Sequence, residues 1–174
     1  MRRTIPLLLL LGGLAAMACT GTDRYRPGTP LGTFRIDATL TAETCGPQEG
    51  FPNPWSFSVD LSRDPGILYW IQGGAPVQAP ITADGHATLQ SSGTYPVRAA
   101  TPKVAGCTLV RADVFEAALP ATGEVTSLTG KLGYVYSVED GSDCADMLGV
   151  QGGFSTLPCE IHYDVTGTRT VAPK

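Results

Sequence analysis

Two stretches of this chain hold side chains whose types and spacing could do chemistry. His162 stands between Glu160 and Asp164 in an alternating run, which puts the three groups on one face of a strand about 7 Å apart at each step. Such a row could work as an acid–histidine pair or hold a metal ion. An outward charged stripe on a terminal strand also serves plain solvation and edge protection, and that reading is preferred. The segment Glu139-Asp140-Gly141-Ser142-Asp143-Cys144-Ala145-Asp146 carries four carboxylates in eight residues, a density of oxygen that can bind calcium. Its spacing lacks the Asp-x-Asp-x-Asp-Gly order and the later Glu of a calcium loop, so a solvated loop pinned by a disulfide is expected. His86 follows Asp84-Gly85 and reads as an exposed turn residue. The pattern Gly-x-Ser-x-Gly of a nucleophile elbow is absent, and Ser91-Ser92-Gly93 reads as a turn. Gln72-Gly73-Gly74 and Gln151-Gly152-Gly153 precede no helix and cannot cradle phosphate. No catalytic residue, metal ligand or cofactor site is nominated, and an enzyme is not expected.

The fifth cysteine has a different setting. Arg2 and Arg3 precede an apolar run from Ile5 to Ala16, and the small residue Ala18 comes just before Cys19. A charged start, a short apolar stretch and a small-residue cut make a secretory signal rather than a spanning helix, which needs about 20 apolar residues. Ala16-Met17-Ala18-Cys19 resembles the lipobox of bacterial lipoproteins, with Ala16 where Leu is usual. The resemblance implies that residues 1–18 are a cleaved signal peptide and that Cys19 takes a diacylglycerol and becomes the acylated first residue. It also implies a lipid-anchored protein of the cell envelope. Thr20, in place of the Asp that holds such proteins at the inner membrane, favours the outer membrane of a diderm host. Two or three acyl chains bury many methylenes at about 0.8 kcal/mol each, which suffices for stable anchoring.

Removing Arg2 and Arg3 from the 12 basic side chains leaves ten against 16 acidic ones, so the exported part is mildly acidic. That sign offers no footprint for nucleic acid and no attraction to acidic lipid headgroups. The membrane is therefore met through the lipid alone. Residues 19–32 have no periodicity and read as the lipidated N-terminus and a flexible tether. Residues 33–174 read as one domain. Its 21 Gly and 14 Pro across the chain, few charges and short runs of Thr, Val and Tyr point to an all-β fold. Cys45, Cys107, Cys144 and Cys159 lie in an exported chain without zinc spacing, so two disulfides are expected. Of the three connectivities, Cys144 with Cys159 and Cys45 with Cys107 is preferred. The first pair would close the loop between the last two strands, and the second would tie the first strand to a later one.

Alternation then places the strands. Phe34 to Glu43 turns Phe34, Ile36, Ala38, Leu40 and Ala42 to one face, and Trp55 to Arg63 turns Trp55, Phe57, Val59 and Leu61 inward. Asp64-Pro65-Gly66 makes a turn into Ile67 to Gln72, and Asp84-Gly85 joins two weaker strands. In Cys107 to Leu119 the set Val110, Ala112 and Val114 is read as inward, with a bulge at Glu116. Leu128 to Val138 is the longest clear strand, and Cys159 to Thr166 is the last. About eight strands in simple succession fit a single antiparallel up-and-down barrel, with a β-sandwich as the alternative. Gly32-Thr33-Phe34 resembles the Gly-x-Trp start of the lipocalins, with Phe as the aromatic. The plan also resembles that of small disulfide-bearing barrel lipoproteins that block lysozyme. The function expected from these readings is a non-catalytic envelope module that binds a small apolar ligand at the barrel mouth, through Trp55, Trp70, Tyr95 and Tyr136, or an envelope protein on its loops. An inhibitor of a hydrolase and a hydrolase with an unrecognised site are the alternatives.

Overall fold

The computed structural model describes residues 23–46, 51–120 and 123–173, and Cys19 with its expected lipid lies outside them. Eight strands follow one another: β1 (Thr29–Glu43), β2 (Trp55–Asp64), β3 (Ile67–Ile71), β4 (Val77–Pro80), β5 (His86–Arg98), β6 (Cys107–Ala118), β7 (Ser127–Val138) and β8 (Cys159–Val171). One short 3-10 turn, Ala145–Met147, is the only helical piece among the described residues. The strands form a single sheet in the order β4-β3-β2-β1-β8-β7-β6-β5, each pairing antiparallel to a chain neighbour except for the β1–β8 closure. A lone bridge from Ile81 to Ala87 joins β4 to β5. The result is the expected up-and-down barrel, nearly closed.

Strand formation follows the alternation. In β8, Cys159, Ile161, Tyr163, Val165 and Gly167 are buried while Glu160, His162, Asp164, Thr166 and Thr168 are exposed. That row meets Leu128, Gly130, Leu132, Tyr134 and Tyr136 of β7 across the register. Phe34, Ile36 and Ala38 of β1, with Val59 and Leu61 of β2, complete a core packed with side chains. At about 25 cal/mol per Å² of apolar surface removed from water, these fully covered side chains supply most of the folding drive. Pro65 and Gly66 make the β2–β3 turn, where Gly66 has φ 79° that a side chain would resist.

The barrel has two unlike ends. At the first, β1 starts, β8 finishes and the tight turns lie. At the other, residues 139–158 fold across as a cap, held by both disulfides. The bridges join Cys45 to Cys159 and Cys107 to Cys144, which corrects the expected pairing of Cys144 with Cys159 and Cys45 with Cys107. Register is the cause. Because β1 pairs with β8, Cys45 just past the end of β1 lies beside the first residue of β8, and the Thr44 N–H donates to the Glu160 carbonyl at 2.9 Å. Cys107 opens β6 where the cap returns, and the Asp143 N–H donates to the Gly106 carbonyl at 2.9 Å. Arg98 adds to the clasp, donating to the Ala105 carbonyl at 3.2 Å and the Asp143 carbonyl at 2.7 Å.

Other expectations shift at strand edges. β1 begins at Thr29, inside the stretch read as tether, and Pro27 accepts a hydrogen bond from the buried Ser62 on the outer face of β2. Between Leu40 and Ala42 the β1–β8 register slips, so Ala42 is exposed rather than inward. Ser91-Ser92-Gly93 is no turn but the middle of β5, which runs unbroken from His86 to Arg98. In β6 the inward row is Leu109, Arg111, Asp113, Phe115 and Ala117, not Val110, Ala112 and Val114. No bulge interrupts the β6–β7 ladder. Both faces of β6 carry apolar residues, and the buried Phe115 and Ala117 decide the phase by meeting Leu132 and Gly130.

Candidate functional site

The inverted phase of β6 turns two charged side chains toward the barrel interior. Arg111 and Asp113 lie two residues apart on one strand, and the guanidinium donates Nε to Oδ1 at 2.7 Å and Nη2 to Oδ2 at 2.8 Å. This is the two-bonded fork that makes an arginine–carboxylate pair strong. Both side chains are only about one-third and one-quarter exposed, at 33% and 25%. The guanidinium also sits over two rings, 5.1 Å from the Tyr134 centroid and 5.5 Å from that of Tyr95. Burial alone would lower the Arg111 pKa, but the hydrogen bonds and charge of Asp113 outweigh it and hold the guanidinium well above its ordinary value. Tyr134 is pushed upward, first by burial and then by the negative charge of Asp113, with Arg111 opposing. The arginine is thus a fixed cation and Tyr134 a neutral phenol across the working range.

The wall opposite this pair is open. β3 pairs with β2 only over Asp60 to Asp64, so Trp55 to Val59 have no partner on that side among the described residues. β5 touches β4 at a single bridge, and beyond Ala87 its second edge is likewise free. The β3–β4 hairpin turns back at Gln72-Gly73-Gly74-Ala75-Pro76, halfway up the barrel. A window results between β2 and β5 in the half of the barrel nearer the cap. Ser91, Gly93 and Tyr95 of β5 share a face with Asp113, Arg111 and Leu109. Yet Tyr95 is 45% exposed, because no wall stands across from it.

Behind the window lies a cleft of about 200 Å³. Its floor is a run of aromatic rings: Tyr134 lies 6.4 Å from Trp55, Trp55 4.5 Å from Phe57, Phe57 5.9 Å from Trp70, and Trp70 4.5 Å from Phe115. Tilted contacts at these spacings suit the ring quadrupoles and stiffen the floor. Gln72, Gln90, Ser91 and Asp113 bring polar groups to its rim. Only two tryptophans occur in the chain, and both line this cleft.

Of the four mouth residues read from sequence, Trp55 and Trp70 form the floor. Tyr95 and Tyr136 border the arginine instead, Tyr95 beneath the guanidinium and Tyr136 opposite Arg111 in the register and tilted against Phe154 of the cap at 5.6 Å. Arg111, Asp113, Gln72, Gln90 and Ser91 were not nominated from sequence. A signal for the first two existed in Leu109, Phe115, Ala117 and Leu119, which share their phase.

The other candidates stay apart from the cleft. His162 Nε2 and Glu160 Oε2 are 3.0 Å apart on the exposed face of β8, while Asp164 pairs across the sheet with Lys131 at 3.2 Å. His86 lies 3.8 Å from Asp84 on an exposed turn. In the acidic loop, Asp146 pairs with Arg98 and Cys144 is bridged. Among the described residues no group of three or more His, Cys, Asp or Glu side chains is gathered as for a metal. A groove of about 380 Å³ lies outside the barrel near the start of β1, walled largely by Pro27, Pro30, Gly32 and the last residues of the chain. Its polar groups, Arg26 3.8 Å from Asp60 and the Thr33 hydroxyl donating to Asp60 at 2.6 Å, satisfy one another.

Comparison with protein-family models, with curated proteins and with solved structures returns no match to this chain.

Proposed function

We propose that this chain is a lipid-anchored, non-catalytic binding module of the bacterial envelope, which takes the ring-sized apolar face of one small ligand through the window in its barrel wall. The observation that carries the reading is a cleft of about 200 Å³ in the barrel wall whose floor is a continuous run of aromatic rings, both tryptophans among them and only partly buried. The ring surface still in contact with water costs hydration free energy until a ligand covers it. The lipid anchor rests on the lipobox-like stretch ending at Cys19. β1 enters at the end opposite the cap, so the tether joins the barrel at the far end from the cap.

The test is native mass spectrometry of the full chain extracted from envelopes in a detergent without a sugar headgroup. The expected mass is that of a polypeptide starting at Cys19, with acyl chains, two bridges and a bound small molecule that is lost in Trp55→Ala and Trp70→Ala variants. An unmodified Cys19 overturns the anchor. A bound mass that both variants retain overturns the cleft as the binding site.

A further inference from the structure

Resting on the cleft as the binding site, we infer that its ligand class is a neutral saccharide, held as a single terminal ring with the rest of the glycan leaving through the window. The argument runs through the chemistry of the lining. A sugar ring has one apolar face of C–H bonds and an equator of hydroxyls. The cleft is lined by the indoles of Trp55 and Trp70, and beside them by Asp113, Gln72 and Ser91. Carboxylate and amide groups are planar and can meet two neighbouring hydroxyls at once, the carboxylate accepting from both and the amide donating or accepting.

Other classes fit worse. An acyl chain would cover the rings but strip water from Asp113, Gln72 and Ser91 without returning hydrogen bonds, at about 1–3 kcal/mol for each group left unpaired. At about 200 Å³ the cleft is also smaller than the sites that enclose drug-sized ligands, whose volumes start at about 300 Å³. A cationic ligand would find the Asp113 carboxylate already neutralised by Arg111 at 2.7 and 2.8 Å. An anion would meet the Asp113 carboxylate on the lining. Because the fork between Arg111 and Asp113 cancels their charges, the site as a whole is neutral. The carboxylate keeps lone pairs beyond those the fork uses, so it is both oriented and available.

The experiment is an NMR titration of the full chain in sugar-free detergent, reading the two indole N–H signals. The probes are neutral oligosaccharides of hexose and N-acetylhexosamine, an oligosaccharide ending in a uronic acid, one ending in an unacetylated amino sugar, and benzyl alcohol as an apolar ring. At least one neutral oligosaccharide is expected to shift both signals saturably, with both charged counterparts at least about tenfold weaker. Asp113→Asn should weaken that saccharide at least about tenfold and leave benzyl alcohol unchanged. Gln72→Ala, on an exposed side chain at the hairpin tip, repeats the test should the first variant fail to fold. Binding of benzyl alcohol alone overturns the saccharide and leaves the cleft standing. Charged and neutral saccharides binding equally overturns the class, and no shift with any probe removes the cleft reading as well.

Discussion

The wall made by β7, β8 and β1 and the window between β2 and β5 belong to one sheet, yet they answer to different demands. In the wall every strand has two partners and the inward row is sealed. A methyl group on Gly130 would lie 2.0 Å from the Glu116 carbonyl oxygen, so the backbones there meet at the limit of approach. At the window a methyl on Gly93 would find nothing closer than 3.6 Å, the Tyr95 hydroxyl. Stability is concentrated where the sheet closes, and accessible aromatic and polar groups are concentrated where two strands stop short. A short hairpin is enough to turn a packed barrel into one with a side entrance.

That contrast can be broken in graded steps. Phe34→Ala in the sealed core, at a fully covered side chain, should cost about 3–5 kcal/mol in denaturant unfolding. Replacing Cys45 and Cys159 together by serine should cost about 2–5 kcal/mol, more than removing the Cys107–Cys144 bridge, because the loops they close span 114 and 37 residues. Gly130→Ala should cost about 1–3 kcal/mol through forced backbone movement. An alkaline series of thermal melts should show a smaller effect. Tyr134 and Tyr163 have raised pKa values, burial being the first cause in each, so the native state keeps protons that the unfolded chain loses at about pH 10. Their contribution is complete below that pH and falls as pH rises toward the folded values, and Tyr134→Phe should flatten the decline. Gly93→Ala at the window should change stability by less than about 0.5 kcal/mol. A cost there equal to that at Gly130 would show that the window is closed in solution.

The barrel was legible because β1, β2, β7 and β8 alternate cleanly, one apolar face against one polar face, and a one-residue slip would expose the whole core row. The site was less so. β6 is apolar on both faces, and Arg111 and Asp113 look like solvent residues when only local pattern is weighed. What fixes them inward is the fit of Phe115 and Ala117 against β7, a long-range fact. Ser91-Ser92-Gly93 has turn composition, yet pairing with β6 across Asp113, Ala112 and Arg111 holds it extended. The disulfide partners depended on the β1–β8 closure, which no spacing between cysteines encodes. Trp55 and Trp70 were recognisable as mouth aromatics because their strands end nearby, whereas the polar rim comes from two separate strands and one hairpin tip.

The bridge from Cys45 to Cys159 makes a covalent hoop of nearly the whole body of the molecule. A protease that cuts the fully exposed Val150 opens the hoop without releasing a piece, since the two fragments stay fastened through the sulfurs. Survival of the molecule under proteolysis would then depend on redox conditions more than on the number of exposed peptide bonds, and a nicked molecule would part only after reduction.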